Sequence, residues 1–347
     1  MKKLNKRFLI ISLVSILVIA ILVIGIPKLL SPAEGILSIE EIDGQQTIVD
    51  DHGDIVQLRG MSTHGLQWYS SILNNNAFAA LKNDWQANVV RLAVYVNENG
   101  YNKHPEAMME KVTRGIDLAI ANDLYVIVDW HVHYPGDPND ETYAGAMDFF
   151  NEVSSLYPNN KHIIYEIANE PNDRDEEGIT NDMDGWRRVK AYAEPIIAML
   201  RETDNENLVI VGTPSWSQRP DLAAEEPIED NNTAYTVHFY SGTHNDGYVM
   251  GNAKKALKND VAIFVTEFGT SEAGGYNGPY LEETDEWLNF LDENHVSWVN
   301  WSASIKQEAS AAFIPYTNLD PGESQAWGED VLTESGMYIR DRLRSYK

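Results

Sequence analysis

Two glutamates stand where apolar runs stop. Ile163-Ile164-Tyr165-Glu166-Ile167-Ala168 leads into Asn169-Glu170-Pro171, and Val261-Ala262-Ile263-Phe264-Val265-Thr266 leads into Glu267-Phe268-Gly269. Short β-rich runs with polar last residues, the first closed by a proline that cannot join a ladder, read as buried strands with a carboxyl group at each tip. Two facing carboxyl groups are the apparatus for breaking a glycosidic bond: one protonates the leaving oxygen while the other attacks the anomeric carbon. Retention of configuration asks that they stand only about 5 to 5.5 Å apart.

The rest of the chain supplies the frame. Brief β-like runs around Asp43-Gly44 and Asp51-His52-Gly53 predict a short N-terminal β-hairpin. Strand-like segments follow at 55–60, 87–95, 124–130, 162–168, 208–211, 234–239, 261–266 and 296–301. Helical spacing falls between them at 77–84, 104–122, 143–157, 186–203, 249–257 and 281–294, with a closing helix at 331–343 and an irregular acidic crossover at 221–229. Eight such units predict an α/β fold, a (β/α)8 TIM barrel whose active site lies at the C-terminal ends of the strands. A doubly wound open sheet is the structural alternative, but no glycine-rich phosphate fingerprint follows the first strand.

Closing the barrel would gather His64, Arg91 with Tyr95, His131 with His133, Asn169 with Glu170, Trp216, His238 with Tyr240, Glu267 and Trp301 at successive strand tips. Some of these have plainer readings. His133 and His244 fit hydrogen-bonded rim or core positions, Trp287 and Trp298 fit packing, and Glu166 fits a structural group inside the barrel. Strict alternation would send Asn169 and Glu170 to opposite faces, so an irregularity at the strand end, attributed to Pro171, must turn both toward the cleft.

The ordered motifs Val90-Arg91-Leu92, Asp129-Trp130-His131, Asn169-Glu170-Pro171, His238-Phe239-Tyr240, Thr266-Glu267-Phe268-Gly269 and Asn300-Trp301-Ser302 resemble those of family 5 glycoside hydrolases, most closely the bacterial endo-β-1,4-glucanase (cellulase) branch. The resemblance spans nearly everything from residue 36 onward and implies Glu170 as acid/base and Glu267 as nucleophile. It also implies His238 beside Glu170, His64 and His131 lining the subsite on the non-reducing side of the cut, Trp301 stacking the sugar before the cut, and Trp68 stacking one further out. Lys306 and Glu308 match a Lys-x-Glu pair that binds sugar hydroxyls in the cellulase branch. Chemistry adds roles consistent with this: Arg91 and Tyr240 would hold Glu267 ionised with a low pKa, and Asn169 would hold the sugar 2-hydroxyl. Aromatic rings suit pyranose faces, which are apolar and rimmed by hydroxyls. The implied partner is a β-glucan polysaccharide, with no cofactor, no metal and no required protein partner; mannan and mixed-linkage glucan remain alternative substrates.

Bulk properties narrow the field further. The 347 residues carry 26 basic against 53 acidic side chains, a formal net charge of −27. Setting aside the five basic residues that precede Glu34 leaves 21 against 53, or −32, a field that repels polyphosphates and argues against nucleic acid. With no cysteine, thiolate nucleophiles, disulfides and Cys-ligated zinc are excluded. Met1–Arg7 is basic and residues 8–27 carry no charge, so residues 1–35 read as a signal peptide or an N-terminal membrane anchor plus linker, with residues 36–347 as an extracellular catalytic domain, secreted or tethered. Two rival functions remain. His131-Val132-His133 has permissible zinc-ligand spacing for a metal-dependent hydrolase on the same barrel, and a non-catalytic carbohydrate-binding barrel would share the aromatic rim.

Overall fold

The structure is a computed structural model that describes residues 35–203 and 205–346. The 8–27 run lies outside the described residues, among which no helix is long and apolar enough to cross a membrane. A hairpin comes first: β1 (Ser38–Ile42) pairs antiparallel with β2 (Gln45–Val49). Asp43 and Gly44 connect them with φ of 52° and 83°, the left-handed pair that a two-residue hairpin turn requires.

Eight parallel strands then close on themselves. They are β3 (Arg59–Ser62), β4 (Val89–Tyr95), β5 (Tyr125–His131), β6 (Ile163–Ala168), β7 (Val209–Val211), β8 (Thr233–Thr236, resuming at Phe239–Tyr240), β9 (Ile263–Gly269) and β10 (Trp298–Trp301). Closure is explicit in the β10 to β3 pairing, where Val299 lies opposite Gly60 and Trp301 opposite Ser62. Helices α1 (Asn75–Asn83), α2 (Pro105–Ala121), α3 (Ala146–Leu156), α4 (Met183–Glu202), α5 (Pro220–Glu225), α6 (Tyr248–Lys258), α7 (Leu281–Glu293) and α8 (Glu334–Arg344) pack outside. The predicted barrel is therefore present, with two local corrections. Residues 221–229 are not wholly irregular, because Pro220 at a helix start allows the short α5. The first barrel strand begins at Arg59 rather than at 55, because Ile55 makes only an isolated bridge to Val49.

Alternation on the strands sorts the two layers. Val90, Leu92 and Val94 of β4, with Val126, Val128 and Trp130 of β5, join the apolar layer beneath the helices, as do Trp287 and Trp298. The intervening Arg91 and Asp129 point into the barrel and are completely buried. The upper barrel core is therefore ionic, and its charges must be paired there because water cannot reach them.

Candidate active site

Both glutamates escape strict alternation by a slip in register. On β6 the pairing with β7 shifts between Glu166 and Ala168, and the strand ends at Ala168, so Asn169 and Glu170 lie past it. The Glu170 N–H then donates to Val132 O at 3.1 Å and the Ser217 hydroxyl donates to Asn169 O at 2.6 Å, fixing the bend. The shift lies between Glu166 and Ala168, three to five residues before Pro171. On β9 the pairing with β10 shifts between Val265 and Phe268, which spans Thr266 and Glu267.

Oxygens of Glu170 and Glu267 and a ring nitrogen of His238 lie within 4.8 Å of one another. Their surroundings are unequal. Glu267 faces donors on both oxygens: Arg91 Nη1 donates to Oε2 at 3.1 Å and the Tyr240 hydroxyl to Oε1 at 2.7 Å. Glu170 Oε1 meets His238 Nδ1 at 3.0 Å. Burial pushes both carboxyl groups up to about 7, with Glu170's charge adding to the rise at Glu267 and Glu166's to that at Glu170. This corrects the expectation that Arg91 holds Glu267 low: the guanidinium and Tyr240 oppose burial without overcoming it. Two carboxyls this close titrate as a pair, and the donors around Glu267 place the charge there and the shared proton on Glu170.

Arg91 organises the floor. Its Nε donates to Glu166 Oε2 at 2.6 Å, its Nη2 to Glu166 Oε1 at 3.2 Å and to Asn169 Oδ1 at 2.6 Å, and it lies 3.0 Å from Asp129 Oδ2. Burial works against its charge, but Asp129, Glu166 and Glu267 outweigh that and hold its pKa above the ordinary value. Asn169 spends its amide on this floor, donating to His131 Nε2 and to Val132 O, both at 3.2 Å. His131 Nδ1 meets Asp129 Oδ2 at 2.6 Å, and burial then Arg91 keep the ring neutral, so Nδ1 carries the hydrogen and Nε2 accepts. Both ring nitrogens are thus engaged by protein groups, while His133 pairs with Glu98 at 2.8 Å, an arrangement unlike a converging His-x-His metal pair.

Above this floor opens a cleft of about 640 Å³. Of the residues expected at the site, Tyr95, His131, Glu170, Trp216, His238, Tyr240, Glu267, Trp301, Lys306 and Glu308 line it. Arg91 and Asn169 lie beneath, and His64 and Trp68 continue the aromatic wall: His64 is 4.6 Å from Trp301 and 6.0 Å from Trp68 between ring centroids. His64 Nδ1 accepts from Gly65 N–H at 2.7 Å and its buried Nε2 has no partner among the described residues. Burial, then Lys306, pull its pKa down to about 2, so Nε2–H is a donor left for a ligand. Tyr95 stacks on His131 at 4.0 Å, Trp68 is 47% exposed, and Trp216 sits in a left-handed turn at φ 56° with its N–H donating to Pro171 O. Lys306 Nζ reaches Glu308 Oε2 at 2.8 Å while Glu308 Oε1 is buried with no partner among the described residues.

The sequence reading passed over several groups. Thr266 and Asp129 sit inside its motifs without a role, and Tyr134, Arg174 and Gln218 add polar rim, whereas His133 and His244 are hydrogen-bonded rim residues of the cleft, as expected. Gly269 closes the Thr266-Glu267-Phe268-Gly269 motif, and a side chain there would collide with the Tyr240 ring.

The model of the cellulase family, glycosyl hydrolase family 5, matches residues 49–307. The chain belongs to that family. An endoglucanase of Halalkalibacter akibai is 54% identical over 339 residues, covering 90% of this chain and 42% of the relative. The cellulase CelDZ1 of a Thermoanaerobacterium species is 58% identical over 316 residues, covering 89% of this chain and 82% of the relative. The solved catalytic domain of alkaline cellulase K is 50% identical with a TM-score of 0.88, covering 91% of this chain and 95% of that one. This family 5 chain thus spans less than half the length of the first of these relatives and most of the other two.

Proposed function

We propose that this family 5 chain is a retaining endo-β-1,4-glucanase in which Glu267 is the nucleophile and Glu170 the acid/base. The observation that carries the reading is the pair of carboxyl groups within 4.8 Å, one ringed by donors and the other facing a neutral histidine. That spacing belongs with the shorter of the two glycosidase geometries, which leaves no room for a water between carboxylate and sugar. Glu267 attacks C1 as Glu170 gives its proton to the departing oxygen, forming a glycosyl-enzyme ester. Glu170, now ionised, takes a proton from water, which attacks C1 and releases Glu267.

An open cleft walled by Trp301, Tyr95 and Trp68 suits a polymer entered from the side and cut internally. Glucan is the favoured substrate because the similar proteins are named endoglucanases and cellulases, and the Oε1 of Glu308 and the His64 Nε2–H offer an acceptor and a donor to sugar hydroxyls. The basic start and the uncharged run at 8–27 support export, as a secreted or membrane-tethered enzyme. Cell fractionation with N-terminal sequencing tests that placement.

The deciding experiment is Glu267→Gln assayed on soluble carboxymethyl-cellulose. The expected loss is several orders of magnitude with the fold retained by circular dichroism; a variant as fast as the parent would remove the assignment.

A further inference from the structure

Behind the cleft the donors and acceptors of a buried chain constrain one another once Glu166 is ionised. The Thr266 hydroxyl, fully buried, touches three polar atoms: Glu166 Oε1 at 2.6 Å, Thr236 Oγ1 at 2.7 Å and His238 Nε2 at 2.9 Å. It has one proton to give and two lone pairs. Burial raises the Glu166 pKa, but Arg91 donates to both of its oxygens and favours the carboxylate, which takes the Thr266 proton. Thr236 and His238 must then both donate to Thr266, and His238 carries its hydrogen on Nε2. Burial keeps that imidazole neutral, which leaves Nδ1 a bare acceptor facing Glu170.

We propose that Glu166 and Thr266 are positioning residues that fix the His238 tautomer, so that Glu170 waits as a protonated acid donating to Nδ1. This rests on the assignment of Glu170 as the acid/base. The relay moves no net proton. When Glu170 gives its proton to the leaving oxygen, its carboxylate is left opposite a lone pair, a contact relieved only when Glu170 regains a proton, here from the attacking water. One arrangement thus favours the acid before the first step and strengthens the base for the second. The groups facing Glu170 and His238 from the surrounding elements are Arg91, Tyr95, Asp129, His131, His133, Glu166, Tyr240, His244 and Glu267; apart from Glu166 and Arg91, which anchors it, they act on the pair as charges or dipoles without choosing the His238 tautomer.

The test is Thr266→Val, which keeps the shape and removes the hydroxyl. Freed from its Nε2 acceptor, His238 takes the Nδ1–H form and donates to ionised Glu170. A hydrogen bond to a charged group shifts a pKa by about one to two units, so the alkaline limb of kcat/KM should move down by about that much. Unactivated cello-oligosaccharides should lose about 10- to 100-fold above neutral pH, whereas an aryl cellobioside whose leaving group needs no proton should stay within about threefold. Thr266→Ser should restore the limb. A uniform loss with an unmoved limb would overturn the proposal. Independently of any variant, 15N shifts of the His238 ring in the unaltered enzyme should show hydrogen on Nε2, and hydrogen on Nδ1 at neutral pH would refute it. Glu170→Ala keeps the two readings apart: if it retains full activity on oligosaccharides the acid/base assignment fails, whereas its loss alongside an unmoved Thr266→Val limb sinks the relay alone.

Discussion

Tyr240→Phe removes one oxygen and one hydrogen bond from Glu267, the proposed nucleophile. In the structure the Tyr240 hydroxyl donates to Glu267 Oε1 at 2.7 Å, and Arg91 Nη1 supplies the other oxygen at 3.1 Å. A hydrogen bond to a charged group contributes about 1.5 to 3 kcal/mol, or roughly one to two pKa units. Tyr240 is only half-buried, so water can replace part of the contact and the lower end applies, about one unit. The sign follows from what the bond favours. It stabilises the carboxylate, so its loss raises the Glu267 pKa further above the value of about 7 already set by burial. Since attack needs the ionised form, the acidic limb of kcat/KM should move to higher pH by about one unit, with about a tenfold deficit below the limb that shrinks as pH rises. Rates on soluble carboxymethyl-cellulose from pH 4 to 10 read this directly. An acidic limb that stays in place, or moves to lower pH, would refute the electrostatic account of Glu267.

Other perturbations have separate signatures. Gly269→Ala places a methyl group against the Tyr240 ring, so it should reproduce the limb shift of Tyr240→Phe and add about 1 to 3 kcal/mol of destabilisation in denaturant melts. Glu170→Gln should cost about 10² to 10⁴ in kcat on oligosaccharides while sparing substrates with activated leaving groups, read by parallel assays of the two substrate types. Trp68→Ala removes a half-exposed wall ring, so KM should rise for longer cello-oligosaccharides with kcat little changed. Reducing-sugar release should be greatest on cellulose and β-glucan; a Lys306→Ala variant with unchanged KM on them would argue against the Lys306–Glu308 contact as a sugar clamp.

The strand tips were legible because a buried parallel strand is an apolar run, and the residue that breaks the run is the one aimed at the cleft. Glu170, Glu267, His131 and Trp301 could be placed that way. Thr266 could not, because period-two alternation puts it opposite Glu267, and only the register shift between Val265 and Phe268 lets both contribute to the ionic core. The same limit hid the turn at Asn169: nothing in the residue types signals the slip between Glu166 and Ala168. His238 was legible as a polar residue near a strand end, but not the break in β8 that holds it, which the His238 N–H to Ser217 O bond at 2.8 Å marks. The electrostatic balance was the least legible part. A sequence shows that Arg91 can pair with Glu267; that Asp129 and Glu166 share the same guanidinium, and that all are dry, is a property of closure.

A covalent ester at Glu267 is what separates double displacement from inversion, and trapping that ester is the most direct measurement. A 2-deoxy-2-fluoro cellobioside with an activated leaving group slows the second step and should accumulate the glycosyl-enzyme. Peptide mass spectrometry should find a single fluorocellobiosyl group on Glu267, with none in the Glu267→Gln variant. An adduct on Glu170, or no adduct together with release of the inverted α-anomer, would contradict the double displacement.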